Sequence, residues 1–485
     1  MNVLSVPSLK AKINKKVSQV SVLTKIFIWS VLFEPLIFFH IVPQHISGVG
    51  GGVGRMLQFI LLFTLIFKLL IAGKIIFPKP FSLVYRKFTF FFLLAIFAGV
   101  LGYLYGSYSY NLTETFLDLN SLTPYEWSFR KDTSVAVFLQ GPYFRPLFEY
   151  FIALYYFIYF VVLMQYMLTT KEDIDYFFRC FYFVFVVCLV VGFVDFLLVT
   201  FFFPDYRGIP RYIADGVHLE GARWHGIIGE PRDAFNYLII ALSVLTIRDI
   251  WLQERKLNYF WLSLIVIASF LTYSFSGVLG IIFAVGLIII FYFPLVKFKS
   301  QLFIIFGLII TLLIVFLNVQ YSPRMMLYYD ALSSVYYELN TGATLSPVVA
   351  NVMNNIYPMW HMWLEVREFN FFHLFFGNGF GSASVINNYY LNEIAVINPN
   401  SSLIRMIYEN GIIGIFLFIF AFLTPLKIFC TDIKMYNKLK FLMLITIAMY
   451  FSHRTVGLYI FLGISLVVLR YKLTELNPNF SFYKG

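Results

Sequence analysis

The segment 221–233 carries the side chains best suited to chemistry in an otherwise apolar chain. It contains Arg223, His225, Glu230 and Arg232 in close succession. Arginine presents a planar, permanently charged fork that matches phosphate oxygens, while histidine and glutamate can accept a proton. The segment therefore predicts a site for a phosphate-bearing substrate, although Glu230 is equally suited to pair with an arginine as a structural partner.

Pro231 and Arg211 are expected to add positive charge to this site. Pro231 is tolerated in the first turn of a helix, so a membrane helix is predicted to begin there and to present partial positive charge to an anion. Arg211 lies earlier in the same loop and adds another guanidinium. Arg211 suits lipid headgroups as well as a substrate, whereas Arg223 lies in a turn bounded by Gly221 and Gly226, which favours a substrate.

A second group of polar and glycine residues follows in the last third of the chain. Residues 377–382 read Gly-Asn-Gly-Phe-Gly-Ser and predict a tight turn, Asn400-x-x-Leu403 comes next, and residues 409–414 read Glu-x-Gly-x-x-Gly at the start of an apolar run. The ordered series is more specific than any of its parts. His361 and Arg367 precede the turn and are further candidates for substrate binding.

The composition indicates that membrane-spanning helices position these side chains. Only 13% of the residues are charged and 60% are hydrophobic, with a mean hydropathy of +0.79. A soluble globular chain carries about 25% charged residues. The apolar runs are roughly 20 residues long, which matches a hydrocarbon layer about 30 Å thick. These properties exclude a water-soluble enzyme, a disordered chain and a disulfide-rich scaffold.

The predicted fold is an all-α polytopic membrane protein that forms one integral membrane domain over 1–485. About twelve transmembrane helices are expected, because only a helix satisfies its own backbone in lipid; they lie at 22–43, 56–73, 88–106, 147–168, 180–203, 234–250, 258–274, 277–294, 301–319, 411–429, 438–453 and 455–470. Alternate loops are rich in Lys and Arg, which indicates that both termini are cytoplasmic. The net charge of +11 is therefore a topology signal, and no nucleic-acid partner is expected.

The remaining loops are predicted to be extracytoplasmic. They are a mixed-charge loop at 107–145, an arginine-rich loop at 204–233 and a large loop at 320–410. The large loop is too long for a simple connection. Its amphipathic stretches, including Tyr357 to Phe372, predict short helices on or near the membrane surface. The polar chemistry is thus expected on the extracytoplasmic face.

Motifs for nucleotides and metals do not occur in the sequence. The glycine run 48–54 lacks the Lys-Ser/Thr ending of a phosphate-binding loop, and no His-Glu-x-x-His or zinc spacing occurs. We therefore expect no cofactor and no metal. Glu34 and Asp195 are the deepest charges within predicted spans, and a structural pairing is the favoured interpretation of both.

The two motif groups resemble those of the O-antigen polymerase and ligase superfamily. The shared features are Arg223-x-x-Gly226 leading to Glu230-Pro231, the glycine turn 377–382, Asn400-x-x-Leu403 and the series 409–414. The resemblance implies a metal-independent membrane glycosyltransferase with a GT-C-like fold in the bacterial plasma membrane. It also implies a lipid substrate, an undecaprenyl-diphosphate-linked oligosaccharide, and a chain-length regulator protein as a partner.

Departures from the family pattern narrow the expected activity. Ligases of the family have His before the Asn of the Asn-x-x-Leu motif, and here that position is Pro399. This favours a polymerase of repeat units for O-antigen, capsule or exopolysaccharide. A ligase of the same family remains one alternative, and a lipid-linked glycan flippase is an alternative of another class. The family's Asn after the proline of the first motif is Arg232 here.

The roles implied for the site residues follow from this reaction. A sugar hydroxyl attacks the anomeric carbon of a second glycan, and undecaprenyl diphosphate leaves. Arg223 is expected to stabilise the diphosphate. Candidate bases are Glu230, His225 and two further histidines, His218 and His361. Substrate binding is expected from Arg211, Arg232, Arg367, His361 and Asn400.

Overall fold

The computed structural model describes most of the apolar helices and part of the polar loops. The described residues are 20–36, 40–42, 51–72, 82–110, 144–202, 211–213, 216–218, 223–228, 230–252, 259–292, 347–379, 381–383, 386–387, 401–429, 432–453 and 455–476. Asn400 and the predicted span 301–319 lie outside the described residues, as does most of the loop 107–145.

The N-terminal half consists of helices and two short antiparallel strand pairs. Its helices are α1 (Val22–Phe33), α2 (Val53–Ala72), α3 (Ser82–Tyr110), α4 (Phe144–Phe157), α5 (Met164–Met167) and α6 (Lys171–Leu197). A π-helical segment, Ile158–Leu163, joins α4 to α5, and another, Leu198–Phe202, follows α6. The strands are β1 (His40–Val42), paired with β2 (Gly51–Gly52), and β3 (Arg211–Ile213), paired with β4 (Gly216–His218).

The second half is helical throughout the described residues. A 3₁₀ turn at Gly226–Ile228 precedes α7. The helices are α7 (Pro231–Leu252), α8 (Tyr259–Leu271), α9 (Phe275–Phe291), α10 (Pro347–Arg367), α11 (Phe372–Phe376), α12 (Ser402–Phe429), α13 (Ile433–Ser452) and α14 (Gly457–Leu476).

The chain is a membrane-embedded, predominantly α-helical protein. Four described helical segments are long and apolar enough to cross a bilayer: Tyr150–Met167, Lys171–Phe202, Pro231–Leu252 and Ser402–Lys427. Shorter apolar helices occur at Val22–Phe33, Val53–Phe67, Phe260–Leu271 and Ser276–Phe291. The predicted span 22–43 is helical only to Phe33, and residues 40–42 at its end form β1. The other predicted spans that fall on described residues coincide with helical segments, and α7 begins at Pro231.

Helix α1 is shorter than the predicted span 22–43. It ends at Phe33, and Glu34 and Pro35 form a turn in which the Leu36 N–H donates to the Phe33 carbonyl at 3.1 Å. Proline has no N–H to continue the helical ladder and its ring clashes with the preceding turn, which explains the stop. The turn leaves Glu34 at the end of a helix.

Helix α14 is the centre of the bundle. Its residues from Leu458 to Arg470 are buried without interruption, and the largest apolar cluster of the described residues includes side chains of α1, α6, α7, α13 and α14. A helix that is apolar on every side lies in a protein core or spans a membrane, and the burial of α14 shows that protein covers this part of it. Gly463 permits the close approach of α14 to the π-helical segment, because a Cβ there would overlap the Phe160 carbonyl oxygen.

Contacts between helix ends define two ends of the bundle. At one, Asp175 at the start of α6 accepts from the Trp251 indole at 2.6 Å, and Lys472 of α14 donates to the Ile250 carbonyl at 2.6 Å. The other, which we name the polar end, includes the last turn of α13, where the Phe451 carbonyl accepts from Ser401 at 3.0 Å. The ends of α6, α7 and α14 predicted to be cytoplasmic therefore lie together.

The described part of the large loop packs on the N-terminal part of α12. Helices α10 and α11 both contact α12. One side of this α10–α11 unit is buried and polar. Another side, which we name the aromatic face, exposes the rings of Trp360, Trp363, Phe369, Phe371 and Phe375.

Candidate active site at the polar end of the bundle

The first turn of α7 presents three charged side chains at the polar end. The Ala234 N–H donates to the Glu230 carbonyl at 2.8 Å, which starts the helix around Pro231. The Arg232 Nε lies 2.5 Å from a Glu230 carboxylate oxygen, and the Arg232 side chain is 37% exposed. Asp233 is the acidic residue of this turn, where the helix dipole stabilises negative charge. The turn thus carries an ion pair that solvent can reach.

Asp233 also pairs with a histidine from a distant part of the chain. The His453 Nε2 lies 3.2 Å from Asp233 Oδ1, with side-chain exposures of 19% and 25%. His453 is the residue that ends α13, and its N–H donates to the Met449 carbonyl. The end of a packed helix therefore positions the imidazole. A carboxylate on one ring nitrogen fixes the tautomer and leaves the other nitrogen as a proton acceptor.

A cavity of about 180 Å³ lies beside this pair, between α1, α6, α7 and α14. Asp233 and Thr455 line it on one side, and Glu34 lines it at the turn after α1. The walls between these polar groups are mainly apolar, as Val31 and Ile240 illustrate. Glu34 and Asp233 thus line one shared cavity.

Glu34 is held in place by side chains of α2 and α4. Arg55 Nε donates to Glu34 Oε1 at 2.6 Å, and Gln58 Nε2 donates to Oε2 at 2.8 Å. Arg55 also donates to the Tyr156 hydroxyl at 2.9 Å, and the Tyr155 hydroxyl donates to the side-chain amide oxygen Oε1 of Gln58. The Glu34 side chain is only 6% exposed, and Arg55 and Gln58 compensate for its desolvation.

Arg223 is engaged by the end of a neighbouring helix. Its Nε donates to the Thr272 carbonyl at 3.0 Å, and a terminal nitrogen donates to the Tyr273 carbonyl at 3.3 Å. The Trp224 N–H donates to the Leu271 carbonyl at 2.9 Å. These bonds satisfy carbonyls that α8 leaves without partners at its C-terminus. The Arg223 guanidinium therefore anchors the loop to α8.

His225 is buried beneath this loop. Its side chain has no exposed surface, its Nε2 lies 3.7 Å from Asp195 Oδ2, and its Nδ1 lies 3.2 Å from the Gly226 carbonyl oxygen. Gly226 permits this arrangement because it adopts a positive φ of 53° and packs on Gly192. The structural pairing expected for Asp195 is present, and it involves the histidine that the sequence suggested as a base.

A second polar cluster lies between α10, α11 and α12. The Tyr408 hydroxyl and His361 Nδ1 are 3.0 Å apart, and His373 Nδ1 is 2.6 Å from Glu365 Oε1. All four side chains are buried. The cluster also contains the buried ion pair between Arg405 and Glu409, at 2.9 Å.

The predicted glycine turn closes this cluster. Gly377, Gly379 and Gly381 all have positive φ, at 79°, 88° and 83°. The Asn378 and Gly379 N–H groups donate to the carbonyls of Tyr408 and Glu409 at 2.8 and 2.7 Å. The turn therefore seals the buried side chains against α12.

Helix α12 differs from the predicted span at its start. It begins at Ser402, and Gly411 is an interior kink with φ 64° and ψ −179°. The motif 409–414, expected to open the helix, thus lies at its bend.

The remaining predicted residues occupy separate places. Arg367 is exposed in the last turn of α10. Arg211 lies in β3, paired with His218 of β4. The structure brings Glu230 and Arg232 together, whereas Arg223 and His225 contact other elements. His361 belongs to the cluster of the large loop.

Sequence reasoning missed the pair formed by Asp233 and His453. The available signal was a histidine at the short junction between two predicted spans, 438–453 and 455–470. A polar residue placed there must lie at a membrane boundary, close to the ends of other spans.

The buried His361 predicts a dependence of stability on pH. Burial, and secondly the charge of His373, lower the pKa of His361 to about 3. An unfolded histidine has a pKa of about 6.5. Between these values the unfolded chain binds a proton that the folded protein does not, so stability falls as the pH falls below 6.5, by up to roughly 1.4 kcal/mol per pH unit.

Thermal unfolding of the purified protein at pH 7.5, 6.5 and 5.5 checks this prediction. The matched variant is His361→Gln, which keeps a hydrogen-bonding group beside Tyr408 but does not titrate. The wild-type protein is expected to lose more stability than the variant between pH 6.5 and 5.5. Equal losses in the two proteins would contradict a buried, neutral His361.

Comparisons with known proteins add no family to this description. Among the described residues, no three His, Cys, Asp or Glu side chains are grouped to hold a metal ion. No protein-family model matches the chain, and no curated protein or solved structure is significantly similar to it.

Proposed function

We propose that the chain is a membrane glycosyltransferase that polymerises undecaprenyl-diphosphate-linked oligosaccharide repeat units at the outer face of the bacterial plasma membrane. The proposed architecture has about twelve transmembrane helices in a GT-C-like arrangement, with both termini in the cytoplasm. The polar end of the bundle then faces outward. The lipid bilayer supplies the substrate, and a chain-length regulator is the proposed protein partner.

One observation carries this proposal: the first turn of α7 places an accessible arginine beside a carboxylate–histidine pair at the edge of a cavity. Glycosyl transfer from a lipid diphosphate requires a cation for the departing anion, a base for the attacking hydroxyl and a space for the acceptor. Arg232, the Asp233–His453 pair and the cavity supply these three elements.

In the proposed reaction Arg232, His453 and Asp233 each have one role. The acceptor hydroxyl oxygen forms a bond to the anomeric carbon of the donor, and the bond from that carbon to the diphosphate oxygen breaks. The bonding electron pair leaves with undecaprenyl diphosphate, where Arg232 stabilises the charge. His453 takes the hydroxyl proton, and Asp233 stabilises the resulting imidazolium.

The diphosphate role moves in this proposal from Arg223 to Arg232. The assignment to Arg223 stays a prediction from the sequence. Two of its nitrogens donate to carbonyls of residues 272 and 273, whereas Arg232 is more than one-third exposed and pairs with Glu230.

Reconstitution of the purified protein with lipid-linked repeat units tests the function. The wild-type protein is expected to produce a ladder of longer glycans on a gel, together with undecaprenyl diphosphate. Arg232→Ala should lower the rate of extension by about 10²–10³-fold, as expected for the loss of one stabiliser of developing charge, at an unchanged melting temperature.

Arg223→Ala is the matched variant for this experiment. It should lower the melting temperature because two helix-end carbonyls lose their donor. A wild-type protein that extends no glycan would overturn the proposed function. Loss of extension in Arg223→Ala at an unchanged melting temperature would return the diphosphate role to Arg223.

A further inference from the structure

The cavity at the polar end has the size of a small ligand. Its volume of about 180 Å³ is many times the 10–15 Å³ or so that one water molecule requires. It is smaller than the roughly 300–1,000 Å³ of pockets that take drug-sized ligands. A single sugar ring fits these limits, whereas an oligosaccharide does not.

The lining of the cavity determines the chemistry of its occupant. Glu34, Asp233 and Thr455 are polar residues in a lining that is otherwise mainly apolar. None of the described lining residues is Lys, Arg or His, so the wall offers no cation to bind a diphosphate. A hydrocarbon chain would desolvate both carboxylates and return no hydrogen bonds. A neutral ring with several hydroxyl groups donates to the carboxylates and packs its C–H groups on the apolar walls.

The carboxylate of Glu34 is preorganised to accept hydrogen bonds from such a ligand. Arg55 and Gln58 each hold one of its oxygens, so the orientation of the carboxylate is fixed before a ligand binds. An ionised carboxylate offers about four acceptor positions. Arg55 contacts Oε1 through two nitrogens, at 2.6 and 2.5 Å, and Gln58 donates once to Oε2, so the acceptor capacity that remains for a sugar hydroxyl is on Oε2.

We infer that this cavity binds the terminal, uncharged sugar ring of the acceptor glycan. The inference rests on the proposed function and assigns the acceptor and the donor to different sides of α7. The acceptor ring lies against Glu34 and Asp233, next to His453, while the donor diphosphate lies at Arg232. The hydroxyl that attacks is then the one presented to the Asp233–His453 pair.

Protection of an engineered cysteine tests the occupant of the cavity. Thr455→Cys places a thiol in the cavity wall, and Thr200→Cys is the matched control at an exposed position after α6. Both changes are made with Cys430→Ser; Cys180 and Cys188 are buried. The probe is the repeat-unit oligosaccharide released from the cell's own lipid-linked pool by mild acid, which has neither lipid nor diphosphate.

The oligosaccharide is expected to slow maleimide labelling of Thr455→Cys at least fivefold and to leave Thr200→Cys unchanged. Undecaprenyl diphosphate without sugar should protect neither position. Equal labelling of Thr455→Cys with and without oligosaccharide would overturn the inference. Protection by undecaprenyl diphosphate alone would also overturn it, because the cavity would then hold the lipid carrier.

A blocking variant separates this inference from the proposed function. Thr455→Phe should weaken binding of the labelled oligosaccharide at least tenfold relative to Thr200→Phe, in proteins that elute as one species in detergent. If the wild-type protein extends glycans but both variants bind the oligosaccharide equally, only the acceptor site is wrong. If the wild-type protein extends no glycan, the proposed function itself fails.

Discussion

Replacement of His453 by alanine is expected to lower the rate of glycan extension by about 10²–10⁴-fold, the usual contribution of a general base. The imidazole is the proton acceptor that we place beside the cavity, and its pairing with Asp233 at 3.2 Å orients it. Its position at the end of α13 makes the change local, so the protein should stay folded. Initial rates of ladder formation and the melting temperature measure the two effects.

The variant Asp233→Asn distinguishes the role of Asp233 from that of His453. The amide retains the shape of Asp233 but cannot stabilise an imidazolium, so the rate of glycan extension should fall. Lys434→Ala, an exposed change at the opposite end of α13, is the control and should retain wild-type rates. Wild-type rates in His453→Ala would exclude His453 as the base.

Replacement of Gly411 by alanine is expected to prevent the polar cluster of the large loop from closing. Gly411 has φ 64° and ψ −179°, a conformation that only glycine adopts readily, and a side chain there costs about 1–3 kcal/mol in backbone strain. A Cβ would in addition overlap the Phe375 carbonyl oxygen. Gly377 has the same conformation and would place its Cβ on the backbone at Glu409 and Asn410.

Limited proteolysis and thermal unfolding check this prediction. Gly411→Ala should expose residues 347–387 to protease and abolish glycan extension. Gly286→Ala in α9 is the control, because a Cβ there meets no atom within 4 Å and alanine favours a helix by up to about 1 kcal/mol. A Gly411→Ala protein as stable as the wild type would show that the kink is not required.

The sequence predicted those parts of the fold that depend on the backbone preferences or the hydrophobicity of a short segment. Apolar runs indicated the helices, Pro231 indicated the start of α7, and the glycines at 377, 379 and 381 indicated a tight turn. Each depends on backbone preferences or on burial in lipid, and both can be recognised without knowing the neighbours.

The partners of the charged residues could not be predicted in this way. The sequence predicts Arg223 as an anion ligand, and nothing nearby in sequence shows that the guanidinium also donates to the carbonyls of Thr272 and Tyr273. Asp233 and His453 meet only because α7 and α13 pack together. Such pairings depend on how helices are arranged, which hydropathy and spacing do not encode.

The aromatic face of α10 and α11 has a consequence for how substrate is found. Tryptophan rings favour the headgroup layer of a bilayer, and phenylalanine rings on the apolar face of an interfacial helix insert at the boundary between headgroups and acyl chains. This surface would therefore hold the polar end of the bundle close to the depth of the lipid phosphates. A glycan tethered to its lipid would then approach by lateral diffusion in two dimensions. Turnover should follow the mole fraction of that lipid in the bilayer and not the amount per volume of buffer.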